Sequence, residues 1–207
     1  MKIIALTDTH TKHHQIDIPK GDILIFAGDF EIRNDNELFQ MKEWLLSVPC
    51  SHIITIFGNH DITDLVSTNE LRKFFGTQIH YLDNDFVEIE GIKIWGSSYS
   101  PEFNDWAWMM PDNDLKEIWD TIPKDTDIVV CHTMPYGILD QVLPREESVG
   151  SISLKDKIKE IQPKIFIGGH LHLCGGQKYT DYKTDYFNVA VLDEMYQIAN
   201  PCTTIEV

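Results

Sequence analysis

Seven side chains of metal-ligand type follow short apolar runs at five places in the sequence. The runs are KIIAL (2–6), ILIFAG (23–28), HIITIFG (52–58), DIVVC (127–131) and KIFIGG (164–169). The side chains that follow them are Asp8, His10, Asp29, Asn59, His132, His170 and His172. Carboxylate, amide and imidazole groups together are a donor set for divalent metal ions.

The spacing within this set indicates that the side chains point to a common centre. Residues two apart in extended backbone point to the same side, so Asp8 and His10 are expected to face one centre, as are His170 and His172. One tetrahedral zinc needs about four ligands, and seven groups therefore indicate two ions that share a carboxylate. Each short motif alone is also compatible with an ordinary surface turn, because surface turns are rich in Asp and His. The complete ordered set favours a metal site.

The five runs are short and rich in Ile and Val, which is typical of strands buried on both faces. If they are neighbouring strands, the residues that follow them meet in one crevice at the carboxyl ends of the strands. In this interpretation Gly58 lets the chain turn sharply, and the strand before it delivers Asn59 and His60 to the crevice.

Helical periodicity separates the runs. Apolar residues repeat at three and four positions over 38–48, and Pro49 is expected to end that helix. Asp112 or Asn113 is expected to cap a second helix, and Ser153 a third.

Two regions change to a strand pattern. IHYL, DFVEIE and GIKIWG, within residues 79–96, predict short antiparallel strands, and YFNVAVL, MYQIA and CTTIEV repeat this pattern near the C-terminus. Alternating strands and helices with added hairpins indicate an α/β fold with a mixed sheet, or two packed sheets covered by helices. At this length we expect residues 1–207 to form one domain.

The charge balance limits which class of binding partner is expected. Lys and Arg number 17 against 33 acidic residues, so the formal net charge is −16. Phosphate backbones are held mainly by clustered cations, and this balance disfavours a nucleic-acid-binding protein. A small anionic substrate held by metal ions stays compatible with it, because bound dications dominate the local field.

The sequence also predicts a cytoplasmic protein that does not enter the membrane. No apolar run approaches the roughly 20 residues of a membrane span, and the apolar start of MKIIALTDTH is too short for a signal peptide. The four cysteines are scattered without a C-x-x-C pair, as expected for reduced thiols.

The ordered motifs D-T-H, G-D, G-N-H-D, a lone His and G-H-x-H resemble those of the calcineurin-like metallophosphoesterase superfamily. The segments YLDNDFVEIEGIKIWGSSYSPEFNDWAW and FNVAVLDEMYQIANP resemble its small single-domain metallophosphoesterase-domain-containing branch, which includes cyclic-nucleotide phosphodiesterases. The resemblance implies a four-layer αββα sandwich with two mixed β-sheets flanked by helices.

The resemblance also implies roles for the site residues. One ion would be held by Asp8, His10, Asp29 and His172, and the other by Asp29, Asn59, His132 and His170. Asp29 would bridge the two ions. His60 would stay unbound to metal and act near the leaving oxygen, with Asp61 orienting its imidazole.

The resemblance implies hydrolysis of small nucleotide phosphodiesters, cyclic ones included, by a metal-bridging hydroxide. Two ions suit this reaction because they acidify a shared water and bind the phosphoryl oxygens. Mixed ligands suit Mn, Fe, Zn or Ni better than Mg alone, and Mn is favoured. A phosphomonoesterase or phosphoprotein phosphatase, a nuclease and a non-catalytic metal-holding nucleotide-binding scaffold are the alternatives. The aromatic residues over 95–108 could stack on a purine, but packing in a core is the favoured interpretation.

Overall fold

Two β-sheets form the centre of the molecule, and the computed structural model describes residues 1–62, 67–144, 147–181 and 183–207. The strands are β1 (Lys2–Leu6), β2 (Gly21–Ala27), β3 (Cys50–Ile56), β4 (Ile79–Tyr81), β5 (Asp85–Ile89), β6 (Ile92–Ser97), β7 (Ser100–Pro101), β8 (Met109–Met110), β9 (Ile128–Cys131), β10 (Gln141–Val142), β11 (Glu147–Ser148), β12 (Ile165–Gly168), β13 (Lys178–Thr180), β14 (Asp185–Asn188) and β15 (Thr203–Glu206). The α-helices are α1 (Asp35–Ser47), α2 (Thr68–Phe75), α3 (Asp112–Trp119) and α4 (Ile152–Ile161). Short 3-10 turns cover His13–Gln15 and His172–Cys174.

The five strands predicted from the apolar runs are present, but they belong to two sheets. The first sheet has the order β15-β1-β2-β3-β4, with only β15 antiparallel to its neighbour. The second sheet has the order β13-β14-β12-β9-β6-β5, with antiparallel strands at both edges. The expectation that all five runs are neighbouring strands is therefore wrong, since three lie in the first sheet and two in the second.

Alternation along each strand divides the core into layers. Ile3 and Ala5 of β1 face the second sheet, whereas Ile4 and Leu6 pack with the side chains of α1 and α2. The outer face of the second sheet packs in the same way against α3 and α4. Because every central strand is buried on both faces, its sequence is almost continuously apolar. The predicted αββα sandwich with two mixed sheets is confirmed.

The first predicted helix is confirmed, whereas the caps predicted for the other two are wrong. α3 begins after Pro111 without a side-chain cap, so neither Asp112 nor Asn113 has that role. α4 is capped by Ser151, whose hydroxyl accepts a backbone N–H of the first turn. The Asp112 carboxylate instead accepts hydrogen bonds from the Ser151 hydroxyl at 2.5 Å and from the backbone N–H of Ser153 at 3.0 Å. Asp112 thereby ties the start of α3 to the start of α4.

The predicted antiparallel strands are partly correct. β5 pairs antiparallel with β6, and β15 with β1, as expected. β4 is parallel to β3, however, and β14 is parallel to β12 on one side and antiparallel to β13 on the other. The MYQIA segment contributes only an isolated bridge between Leu192 and Ile198. Local alternation shows that a segment is extended and carries no information on the direction of its partner.

The described helices and the four cysteines bear on the predictions of no membrane span and of reduced thiols. Within the described ranges, no helix has the length and apolar character needed to cross a membrane. Cys50, Cys131, Cys174 and Cys202 are all free.

Candidate metal centre

The two sheets are joined at the edge where the predicted ligands lie. The backbone N–H of Thr7, directly after β1, donates to the carbonyl of Val189 at 3.1 Å, and the Val191 N–H donates to the Thr7 carbonyl at 3.2 Å. Nearby, the Phe57 N–H after β3 donates to the hydroxyl of Ser98 after β6 at 2.9 Å. Loops from both sheets therefore meet at one edge, although their strands are not neighbours in a single sheet.

All seven predicted ligand residues converge at this edge. Ligand atoms of Asp8, His10 and His172 lie within 4.8 Å of one another, and so do those of Asp29, His132 and His170. The two groups are adjacent, because His10 Nε2 is 3.7 Å from Asp29 Oδ2. The remaining residue, Asn59, is in contact with the second group through its Oδ1, 2.9 Å from His132 Nε2.

The backbone reaches this arrangement through left-handed turns. Asp8, His10, Asp29 and His170 have φ angles of 57°, 38°, 54° and 66°. Residues other than glycine seldom adopt such angles, and they concentrate at functional sites. The prediction that each D-x-H and H-x-H pair faces one centre by strand alternation is therefore wrong in its geometry, since the chain has already left the extended conformation.

Two glycines give the ligand loops the space to approach each other. A Cβ on Gly58 would lie 2.2 Å from Asp29 Oδ1 and 2.6 Å from His132 Cε1. A Cβ on Gly169 would lie 2.4 Å from Asp8 Oδ2. Gly58 does not have a positive φ. A glycine is therefore needed here for the close approach of the neighbouring side chains, and not for the sharp turn that the sequence predicts.

Three of the histidines are oriented by oxygen atoms outside the cluster. The Nδ1–H of His132 donates to the carbonyl of Ala27 at 3.0 Å, and that of His172 to the carbonyl of Asp193 at 3.0 Å. His10 Nδ1 donates to the Glu31 carboxylate at 2.8 Å. Since the other ring nitrogen then carries the lone pair in a neutral imidazole, Nε2 faces the cluster in each case. Metal-bound histidines are typically held in this way.

Unpaired polar atoms at the centre also fit bound cations. Asp8 Oδ1 and His10 Nε2 are buried and lack a hydrogen-bond partner among the described residues. An unpaired buried polar atom costs about 1–3 kcal/mol, whereas a cation would use both atoms as ligands. The mixed oxygen and nitrogen donors suit first-row divalent metals. The donor set thus fits two divalent ions.

The charges of the cluster are strongly interdependent. Burial acts to raise the pKa of Asp29, but the charge and hydrogen bond of His132, together with the charges of His10 and His60, hold that pKa well below its usual range. Burial acts to lower the pKa of His132 and His172, but Asp29 and Asp8, respectively, raise both to about 9. Burial and the His132 charge lower the pKa of His170 to about 4. His170 therefore has an unprotonated nitrogen at neutral pH.

Asp61 supports the backbone of the site, and in the described part of the chain no hydrogen bond joins its carboxylate to the His60 ring. Its Oδ1 accepts the N–H groups of Glu31 and Ile32 at 3.0 and 3.1 Å, and its Oδ2 accepts that of Gly58 at 3.0 Å. Burial, followed by the charge of Asp29, raises the pKa of Asp61 to about 7. The expectation that Asp61 orients the His60 imidazole is wrong, because its carboxylate holds the loops after β2 and β3 together.

Among the described residues, Glu31 is the carboxylate within ion-pair distance of the His60 ring, and sequence reasoning missed it. Its Oε2 lies 3.7 Å from His60 Nδ1 and 2.8 Å from His10 Nδ1. The hydrogen bond from His10 lowers the pKa of Glu31. Glu31 reaches this place because its own backbone is left-handed, with φ of 81°, and the sequence carries no clear signal of that turn.

His60 is more accessible than two of the candidate ligands beside it. Its side chain is 26% exposed, while those of His10 and Asp29 are 5% and 2% exposed. A cavity of about 580 Å³ opens over the cluster and contacts all three residues. Such a volume suits a small molecule, and His60 stands at its wall.

Comparisons with known proteins agree with this architecture. A family model described as calcineurin-like phosphoesterase matches residues 1–174. Metallophosphoesterase domain-containing protein 1 of Homo sapiens is 32% identical over 230 residues, with 99% of this chain and 70% of that protein covered, and the Mus musculus protein gives the same values. The solved structure of phosphopantetheinyl hydrolase from Mycobacterium tuberculosis has a TM-score of 0.66 at 14% identity, covering 94% of this chain and 90% of that one. At 14% identity, the similarity to the hydrolase structure concerns the fold alone.

The αββα sandwich and its mixed carboxylate, amide and imidazole cluster have the architecture and donor set expected of a metallophosphoesterase. The chain belongs to the calcineurin-like phosphoesterase family, and it is a hydrolase that acts on phosphoric ester bonds.

Proposed function

We propose that this protein is a dinuclear-metal phosphodiesterase of small nucleotide esters, cyclic ones included. The observation that carries the proposal is the adjacency of two ligand groups with His60 beside them at the wall of a cavity of small-molecule size. We further propose that residues 1–207 act as one domain and, because all four cysteines are free, that it works in the cytoplasm.

The candidate ligands divide into two sets around a shared carboxylate. One ion would be held by Asp8, His10, Asp29 and His172, and the other by Asp29, Asn59, His132 and His170. Two bound divalent ions supply a hydroxide near neutral pH and neutralise phosphoryl charge. Mn²⁺ is the ion we favour, because the donors include both imidazole and carboxylate groups.

His60 is the group we assign to the leaving oxygen. As water forms its bond to phosphorus and the phosphorus–oxygen ester bond breaks, the departing oxygen takes up a proton. His60 stands at the cavity wall and can give that proton, a contribution of roughly 10² to 10⁴ in rate.

The lining of the cavity supports a diester over a monoester. Its charged groups away from the cluster are Glu102, Glu147 and Glu194, and within the described part of the chain no lysine or arginine lines it. A phosphomonoester is a dianion near neutral pH and a diester is a monoanion. The acidic surroundings therefore repel the monoester more strongly.

The test is a comparison of bis(p-nitrophenyl) phosphate with p-nitrophenyl phosphate in Mn²⁺, followed by a screen of cyclic nucleotides against several divalent metals. We expect a higher kcat/KM for the diester. A higher value for the monoester would favour the phosphatase alternative. Tight metal and nucleotide binding without turnover of any ester would favour the non-catalytic scaffold.

A further inference from the structure

One wall of the cavity over the metal centre is aromatic and open. Phe103 is 76% exposed and Trp106 is 42% exposed, and both line the cavity. Their ring centroids are 6.2 Å apart in an edge-to-face contact. The expectation that the aromatic residues of this stretch fill a core holds for Trp95, which is 1% exposed, and is wrong for these two. Large apolar side chains exposed side by side in a cleft are typical of a binding surface.

The loop that carries the pair is fastened to the metal centre. β7 and β8 pair at its base, through Ser100 and Met109. On the same loop, the indole N–H of Trp108 donates to the carbonyl of Asp61 at 2.9 Å. Because Asp61 directly follows His60, this bond holds the aromatic loop in register with His60.

The aromatic pair lies on the His60 side of the cavity. The ring centroid of Trp106 is 5.0 Å from that of His60. In the proposed function His60 protonates the leaving oxygen, so the group attached to that oxygen lies over Trp106 and Phe103. This placement distinguishes the leaving group from the group that stays on phosphorus.

The charges around the pair restrict the chemistry of the leaving group. Glu102 is the residue before Phe103, and the cavity lining also contains Glu147 and Glu194. A flat ring without charge gains from stacking on an indole. A leaving group with further phosphates would face like charge at this rim.

We propose that Phe103 and Trp106 form a leaving-group subsite for an uncharged aromatic ring, either a phenyl group esterified directly to a single phosphate or the nucleobase of a nucleoside esterified through its sugar. The proposal rests on the proposed function, because it uses His60 to define the leaving-group side. It makes the two aromatic residues determinants of specificity.

A binding comparison tests the subsite without turnover. Methylphosphonate and phenylphosphonate, which differ by one ring, are titrated calorimetrically into the Mn²⁺-loaded protein. We expect the phenyl compound to bind about tenfold more tightly, as stacking on aromatic side chains provides. The double variant Phe103→Ala, Trp106→Ala should reduce this ratio to below about twofold and leave methylphosphonate binding unchanged. The control Phe39→Ala removes a phenyl ring that is 52% exposed on α1, and it should keep the full ratio.

A turnover comparison tests the side on which the ring binds. In methyl p-nitrophenyl phosphate the ring can act only as the leaving group. Its kcat/KM should fall about tenfold in the double variant, and the ratio to wild type cancels the intrinsic reactivity of the ester. Loss of the phenylphosphonate preference with unchanged kcat/KM would place the ring on the retained side and overturn the assignment.

Different results would overturn the phosphodiesterase function and the aromatic subsite. Absence of diester turnover with every metal would overturn the phosphodiesterase function, while the phosphonate ratio would still report on the aromatic wall. Equal affinity of the wild-type protein for the two phosphonates would overturn the subsite, whatever the turnover. Thermal unfolding of both variants confirms that they are folded, as expected for substitutions of exposed side chains.

Discussion

Glu31 accepts a hydrogen bond from His10 at 2.8 Å, and the same carboxylate oxygen lies 3.7 Å from the His60 ring. One side chain thus connects a candidate metal ligand with the candidate proton donor. Glu31 holds His10 in the tautomer that directs Nε2 at the cluster.

Glu31→Gln should weaken metal binding and turnover together. The amide can still accept the His10 hydrogen bond but lacks the charge, and loss of such a partner typically lowers metal affinity about 10- to 100-fold. Equilibrium dialysis with Mn²⁺ measures the affinity, and steady-state kinetics the activity. The control Glu43→Gln changes an exposed glutamate of α1 and should alter neither. Wild-type metal affinity in Glu31→Gln would remove Glu31 from the support of His10.

His60→Ala should keep both metal ions and lose turnover by a factor of about 10² to 10⁴. The ring contributes a proton to the leaving oxygen and is absent from both ligand sets. Elemental analysis gives the metal content, and kcat on the preferred ester gives the rate. The exposed His14→Ala is the matched control and should retain wild-type kcat. Unchanged turnover in His60→Ala would contradict its assignment as proton donor.

Asp29→Ala should abolish the binding of both ions, because its carboxylate contacts both ligand groups. Its Oδ2 is 3.7 Å from His10 Nε2 and 3.3 Å from His132 Nε2. Its Oδ1 also accepts the His60 backbone N–H at 2.8 Å, and Asp29→Asn keeps such an acceptor while removing the charge. Both variants should therefore lose metal, and only the alanine variant should also lose local structure. Full metal content in a folded Asp29→Asn protein would argue against the bridging role.

Metal binding should release protons and weaken as pH falls. The pKa values of His132 and His172 are raised to about 9 in the metal-free protein, so both rings are protonated at pH 7. A metal must displace these protons, and we expect about two to be released per molecule at pH 7, with fewer as pH rises through 9. Calorimetry in buffers of different ionisation enthalpy counts them. His80→Gln, on β4, should give the same count, and a count of zero would contradict the raised pKa values.

Asp61→Asn should destabilise the fold through the loops after β2 and β3. The carboxylate accepts backbone N–H groups with both oxygens, whereas the amide would turn an NH₂ group towards one set of donors. A loss of about 1–3 kcal/mol in the free energy of unfolding follows from unpaired buried donors. Urea titration measures it, and Asp17→Asn at an exposed position is the control. A stable variant with a selectively altered pH–rate profile would instead restore the role in orienting His60.

The convergence of the candidate ligand residues could be predicted because each one follows a buried strand that its own composition reveals. Asp29, Asn59 and His132 are examples, and their strands occur where the apolar runs predicted them. The division of these strands between two sheets could not be predicted from periodicity, because β1 and β12 look alike locally and differ only in their partners.

The supporting residues depend on backbone turns that the sequence does not signal. Glu31 meets His60 only because residues 29 and 31 are left-handed. The partners of Asp61 are backbone N–H groups, which every residue except proline possesses and which therefore leave no pattern in the sequence. The exposure of Phe103 and Trp106 depends on how one loop lies over the cavity, and aromatic composition alone favours burial.

The candidate ligands come from both sheets, with Asp8 and Asp29 after strands of the first and His132 and His170 after strands of the second. Ions held there link the two halves of the molecule in the folded state only. Above its dissociation constant, each tenfold rise in free ion should add about 1.4 kcal/mol per site to the free energy of unfolding. Since cells degrade unfolded chains, the steady-state amount of this protein should follow the local supply of its metal.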